Sequence, residues 1–306
     1  MQLNTPVTIF IFKRADKFDN LISQLKNVKP KKLFIIGDGP RKDSDVQMVE
    51  ETRKRINNIN WDCDIYTNFS DKNLGGPVRI PSGLNWVFEH VDSSIILEDD
   101  ILPHTDFFQY AEEMLFTYKY YENIGHIAGN NPTKVGKKIK ESYFFAPLFR
   151  VWGWATWKRA WDKFDPGMSY IKQLLQDDWL ERILSHQQFA NKWRKILYNV
   201  LNGRRSISWD LAWYCTCWAN NMLAIYPRNN LIDCFGSDIH AQHSGQVSTP
   251  FDKIPVSQPL SFPLRHPESV TVKQEFVKKC FQRKNSAHAR LTKKLYRLKN
   301  ILMKQG

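Results

Sequence analysis

Apolar and polar positions come in blocks along the first hundred residues. Val7-Thr8-Ile9-Phe10-Ile11-Phe12, Leu33-Phe34-Ile35-Ile36 and Ile95-Ile96-Leu97 are short apolar runs rich in β-branched and aromatic residues, each ending on polar or glycine-containing text. Runs of that length bounded by turn residues predict strands buried on both faces. Between them, Phe18 to Asn27, Asp45 to Asn57 and Ser82 to His90 are spaced as helices, with Leu84, Val87 and Phe88 on one side of the last. Alternating strand and helix predicts an α/β chain: a doubly wound, mostly parallel sheet with helices on both faces, whose ligands collect at the carboxyl ends of the strands.

The unusual polar residues of this half fall at those ends. Arg14 and Asp16 follow the first run, Asp38-Gly39-Pro40-Arg41 the second and Glu98-Asp99-Asp100 the third. Three adjacent carboxylates closing a buried strand call for a cation, because unpaired buried charge is costly. A divalent metal holding a phosphate answers that need, since hard oxygen ligands suit Mg2+ or Mn2+. A solvated acidic turn is the other reading of the triplet by itself. Asp38 stands where it could hydrogen-bond a nucleotide base or, like the Asn73 turn that follows, simply form a turn. The turn Asn73-Leu74-Gly75-Gly76 has glycines that permit close backbone approach to ribose or phosphate. Phe12, Arg14 and Arg79 complete the expected donor-binding set, Arg79 either touching a phosphate or lying at the surface.

Past residue 140 the pattern dissolves into aromatics: Trp152, Trp154, Trp157, Trp161, Trp179 and Trp193. Most suit a core. Trp152 and Trp154, flanking Gly153, are the expected lining of an acceptor cleft, where indole faces stack on sugar rings. A general base should come from another part of the fold. Asp210, among Trp209, Leu211, Trp213 and Tyr214, is the expected one, with partial burial raising its pKa towards useful basicity. Capping a helix is its alternative role, and Asp177 and Asp178 are rival acids. In the stretch Gly236 to His243, His243 or alternatively His240 is expected to add a metal ligand.

The chain has 306 residues, 42% of them hydrophobic, enough for one large domain with an appendage. Pro250, Pro255, Pro259, Pro263 and Pro267 mark its end. The expected division is residues 1–250 as the catalytic domain, 251–271 as a proline-rich strap and 272–306 as a basic helical tail. The net charge is +13, and from Ser269 to Gly306 there are eleven lysines or arginines against one acid, so the charge belongs mainly to the tail. Leu291, Leu295, Leu298 and Leu302 form a stripe there, which suits either an anionic membrane surface or packing on the domain. Basic residues are sparse where the aromatics are dense, so no nucleic-acid partner is expected. Five scattered cysteines without a CxxC pair suggest neither a disulfide framework nor a zinc site. Without a signal-peptide pattern or a membrane span, the expected location is cytoplasmic, peripheral on the inner face of the membrane.

Taken in order, Lys32 to Ile35 with Asp38-Gly39-Pro40-Arg41, Asn73-Leu74-Gly75, Ser82 to Phe88, Ile96 to Asp100, Gly129-Asn130-Asn131, Trp152 to Trp157 and Trp209-Asp210 resemble bacterial nucleotide-diphospho-sugar glycosyltransferases of the GT-A fold. That family is similar to the animal N-acetylglucosaminyltransferases that begin complex N-glycan branches and carry a Glu-Asp-Asp version of the DxD motif. The resemblance implies that Asp100 coordinates Mn2+ or Mg2+, that Glu98 and Asp99 serve the ribose or the metal's waters, and that Asp210 is the base. It implies inverting transfer from a nucleotide sugar, expected to be a UDP-sugar, to a glycan or glycolipid acceptor such as lipopolysaccharide, capsule or a lipid-linked saccharide. Cys234-Phe235-Gly236 and the following histidines depart from the family's usual ending, which puts the third ligand in doubt. The alternatives are a sugar nucleotidyltransferase, which should carry a glycine-rich loop where Lys13-Arg14-Ala15-Asp16 stands, and a non-catalytic carbohydrate- or nucleotide-sugar-binding relative.

Overall fold

The three apolar runs form adjacent strands of one sheet. A computed structural model describes residues 2–176, 178–234 and 255–285. Its first half runs β1 (Val7–Ile11), α1 (Ala15–Leu25), β2 (Lys32–Gly37), α2 (Asp43–Lys54), β3 (Asp64–Phe69), α3 (Gly76–Phe88) and β4 (Ser93–Glu98). Then follow β5 (Ile101–Pro103), α4 (Thr105–Thr117), β6 (Ile124–Ala128), β7 (Tyr143–Ala146) and β8 (Trp154–Trp157). The helices α5 (Lys158–Trp161), α6 (Ile171–Leu175), α7 (Trp179–Leu184), α8 (Gln187–Leu201) and α9 (Trp209–Ala219) precede β9 (Leu223–Pro227), β10 (Ile232–Cys234) and α10 (Gln274–Asn285).

Eight strands form the main sheet in the order β3-β2-β1-β4-β8-β6-β9-β7. β1 pairs in parallel with β2 and β4, β2 with β3, and β6 with β9; β8 lies antiparallel between β4 and β6, and β7 antiparallel on β9. The chain is therefore α/β with a large, mostly parallel sheet flanked by helices, the class its pattern predicts. One face packs Phe10, Phe34, Ile36, Leu84, Trp154 and Trp213; the other packs Ile9, Ile35, Leu97, Phe107 and Trp157.

Three segments differ from expectation, each for a packing reason. β3 escapes the hydrophobic pattern because it is an edge strand with mostly exposed residues, so no apolar run marks it. The helix expected from Ser82 starts at Gly76 and runs through Pro81, because Ile80, Gly83, Leu84, Val87 and Phe88 bury against the sheet. Gly83 is required by that packing: a Cβ there would come within 2.8 Å of Phe10 and 2.9 Å of Ile36. The stretch Trp154 to Trp157 is a central strand, buried at every residue.

Over its described part the proline-rich strap lies on the body. Leu260 and Leu264 bury in the core, Ser257 bonds Asp233, the Leu260 N–H donates to Asp106 Oδ2, and Ser142 and Arg265 exchange bonds of 2.8 and 2.9 Å. α10 turns Phe276, Val277 and Cys280 into the core on the other face of the sheet, with Phe10, Trp154 and Trp213. The leucine stripe of the expected tail lies outside the described residues. No described helix is long and apolar enough to cross a membrane.

Candidate functional site

β1 leads to β2 and β3 on one side, and then the chain crosses to β4 on the other. Such a reversal opens a crevice at the carboxyl ends of β1 and β4, the usual ligand position in this class of sheet. Register sets its walls: Phe10 pairs with Glu98 and Ile11 with Gly37, so Arg14, Asp38 and the acid triplet emerge on one edge.

Among the described residues, the cation that meets Asp99 and Asp100 is Arg14. Its guanidinium spans two acids, with one nitrogen bonding Asp99 Oδ1 and the other 3.0 Å from Asp100 Oδ2. Asp99 is anchored further by the Phe12 N–H, which donates to Oδ2 at 3.1 Å. Burial opposes the charge on Arg14, yet Asp99 and Asp100 outweigh it and raise its pKa. Burial also pushes Asp99 up to about 6, against the pull of Arg14. Glu98 lines a small void together with Phe10, Ile80, Val151, Trp154 and Trp209. Desolvation first, then Asp100, Asp99 and Asp210, raise its pKa to about 8. Asp210, half-buried in the first turn of α9, follows Trp209, which lines the same void as Glu98. Trp209, beside it, stacks on Trp154 with ring centroids 6.2 Å apart.

Asp38 serves the protein itself. One oxygen accepts the N–H groups of Gly39 at 2.9 Å and Leu74 at 2.8 Å; the other accepts the Gly75 N–H at 2.9 Å and Asn73 Nδ2 at 3.1 Å. Its acceptor capacity is spent on the turn that starts α3, so Asp38 holds that turn and does not present itself to a base. Asn73 also donates to the Gly39 carbonyl at 2.7 Å, and Gly75 takes the positive φ of 72° that the turn needs. Arg79 is likewise a strut. It is buried, donating to the Gly37 carbonyl at 3.2 Å and to Asn68 Oδ1 at 2.7 Å, which ties β2 to β3. The expectation of a phosphate contact is corrected by that burial. Phe12 is buried too, its ring flanked by Arg41 at 5.2 Å and Lys13 at 5.6 Å, and it offers the site its backbone N–H.

On the acceptor side the expected pair divides. Trp152 is 42% exposed and Trp154 only 1%, so Trp152 can stack on a ligand whereas Trp154 is core. Gly153 has a positive φ of 61°, and its carbonyl accepts the Gly129 N–H at 2.8 Å. A Cβ at Gly153 would strike Ile232 and press on Ile101, so the Trp152–Gly153 turn lies against the residue that follows Asp100. His240, His243 and the rival acid Asp177 lie outside the described residues. Asp178 pairs with Arg182 at 3.3 Å on the exposed face of α7.

Two buried polar residues lie beneath this rim: His126, which sequence reasoning passed over, and Asn130, which it named only within Gly129-Asn130-Asn131. His126 on β6 stacks on Trp154 with centroids 5.0 Å apart, accepts the Trp213 indole N–H on Nδ1 at 3.2 Å, and donates from Nε2 to the Arg150 carbonyl at 2.9 Å. Burial lowers its pKa to about 3, so it is neutral. Asn130, just after β6, is fully buried, with neither side-chain atom bonded to the described residues. A lone polar residue in an apolar strand was the available signal for His126; nothing in the sequence marked Asn130 as buried.

Divalent metal chemistry fits part of this arrangement. Asp100, 24% exposed, is a hard oxygen donor at the crevice, and Mg2+ is commonly held by one or two carboxylates together with substrate phosphates. Among the described residues, no three His, Cys, Asp or Glu side chains converge into a protein-only metal cage.

No protein-family model matches the chain, and no curated protein matches it. A solved structure of UDP-glucose pyrophosphorylase complexed with UDP-glucose overlaps 52% of this chain and 71% of that one, at 12% identity and a TM-score of 0.28. An overlap that loose carries no argument about activity.

Proposed function

We infer that the chain is a metal-dependent, inverting glycosyltransferase that uses a nucleotide-sugar donor. The observation that supports this reading is the clamp of Arg14, just after β1, on Asp99 and Asp100, just after β4, at the switch point, with Asp210 next to Trp209, which lines the same small void as Glu98. The donor's diphosphate would lie over the β1/β4 crevice beside Asp100, which would hold Mn2+ or Mg2+. Such a cation supplies neutralisation of the departing diphosphate. Asp210 takes the proton of the acceptor hydroxyl, and the hydroxyl oxygen forms the bond to the anomeric carbon as the bond from that carbon to the diphosphate oxygen breaks. General-base help of this kind contributes about 10² to 10⁴ in rate. Trp152 offers its exposed face to the acceptor sugar.

The test is a screen of nucleotide sugars, with Mn2+ present, for thermal stabilisation and transfer. Binding that Asp100→Ala abolishes, and that Asp210→Asn retains while losing transfer, is the expected result. Equal binding by Asp100→Ala would refute the donor site, and undiminished transfer by Asp210→Asn would refute the base. A parallel reaction of sugar 1-phosphate with a nucleoside triphosphate reveals a sugar nucleotidyltransferase instead.

The basic tail would bring the enzyme to an anionic membrane carrying its glycolipid acceptor. Because α10 buries its apolar side in the core, the truncation that tests this removes residues 286–306 only. Loss of pelleting with anionic vesicles is expected, and unchanged pelleting would refute the anchor.

A further inference from the structure

We propose that Arg14 is a displaceable internal counterion: it holds Asp99 and Asp100 until a divalent cation takes Asp100, and it then pairs with the diphosphate that the cation carries. The proposal rests on the donor-site reading above. Its basis is the unequal anchoring of the two acids. Asp99, 2% exposed, is held by both Arg14 and the Phe12 N–H, so it remains a fixed pivot. Asp100, 24% exposed, has Arg14 as its one side-chain partner among the described residues. Arg14 is 13% exposed, so the edge of its guanidinium already borders the crevice.

Geometry makes the exchange inexpensive. A guanidinium presents its donors in a planar fork that fits carboxylates and phosphates alike. When a cation takes the Asp100 oxygens, half of the fork loses its acceptor, and a buried guanidinium cannot remain half-paired without cost. A diphosphate on that cation supplies anionic oxygens within the same crevice, while the other half of the fork stays on Asp99. No covalent step is involved. Arg14 thus opposes binding of the metal alone and favours metal and diphosphate together, which would bias the site towards ordered, joint loading.

The two effects have opposite signs, and this separates the proposal from a merely structural salt bridge. Mn2+ binding without nucleotide, and UDP binding at saturating Mn2+, are measured by calorimetry on the full chain for wild type, Arg14→Met, Arg14→Lys and Asp100→Asn. If the cation-ready arrangement is a minor state of roughly 1–10% in wild type, Arg14→Met should bind Mn2+ alone about 10- to 100-fold more tightly. The same variant should bind UDP with Mn2+ more weakly by on the order of tenfold, the loss of one charged hydrogen bond. Arg14→Lys, which keeps the charge but cannot bridge two acids, should fall between. Should Arg14→Met fail to fold, the wild type still decides: the Arg14 Nε–H resonance should shift when Mg2+ is added and shift again with UDP. Mn2+ affinity in Arg14→Met no tighter than wild type, or an Arg14 resonance indifferent to Mg2+, overturns the counterion role while leaving the donor site standing if Asp100→Asn has lost Mn2+. If Asp100→Asn binds Mn2+ as wild type does, or no variant binds it, the donor-site reading fails and this proposal with it.

Discussion

Replacing Asp38 with asparagine tests whether this residue organises a turn or contacts a nucleotide. Each carboxylate oxygen accepts two donors at 2.8–3.1 Å, and the residue is only 6% exposed. Asparagine keeps one oxygen and turns an NH2 group towards the other two donors. Two charge-assisted bonds are therefore lost and two N–H groups meet another donor, at a cost of about 1.5–3 kcal/mol each. Leu74, 41% exposed, shows that water can reach part of the turn, which moves the total to the lower end, about 3 kcal/mol. For a chain of 306 residues that is roughly 5 °C in Tm. The assay is thermal and urea unfolding of Asp38→Asn beside hydrogen exchange at the Leu74 and Gly75 amides, which should lose protection. A Tm within about 1 °C of wild type, with those amides unchanged and nucleotide binding abolished, would refute the reasoning and restore the base-binding role.

Two further predictions concern pH. His126 has its pKa lowered to about 3 by burial, so between the ordinary histidine value and that one the unfolded chain binds the extra proton and stability falls with falling pH. Wild type should lose about 2 kcal/mol between pH 6.5 and 5, whereas His126→Gln, though less stable at pH 7.5, should not; a stability gap between the two that stays constant with pH would contradict this. Glu98 behaves in the opposite sense. Raised to about 8, it stabilises below its ordinary range and loses that contribution as pH rises towards 8. Glu98→Gln should therefore gain on wild type by about 1–3 kcal/mol between pH 5 and 8, measured by urea unfolding, and parallel curves would count against it.

The carboxyl-edge site is partly legible in the order of residues. Arg14 and Glu98-Asp99-Asp100 follow apolar runs, and parallel strands must deliver their successors to one edge, so their meeting can be anticipated. Which of them pair cannot. Asp38 and Arg79 have the residue types of ligand contacts, yet the structure spends both on holding the turn before α3 and the ends of β2 and β3. Trp154 and Trp152 look equivalent in the sequence, but only a sheet with β8 between β4 and β6 buries the first and leaves the second at the rim.

The sequence alone determined the α/β class, the three central strands and the edge at which Arg14, Asp38 and the acid triplet lie, because burial on both faces leaves a continuous apolar run that can be read locally. The tertiary structure decided the partners: the Arg14 clamp, the turn held by Asp38, the insertion of β8, and the void that Trp209, next to Asp210, shares with Glu98. Those depend on contacts between residues 35 to more than 100 positions apart. A side chain's type states what bonds it can make, and only the folded chain determines whether its own backbone has already taken them.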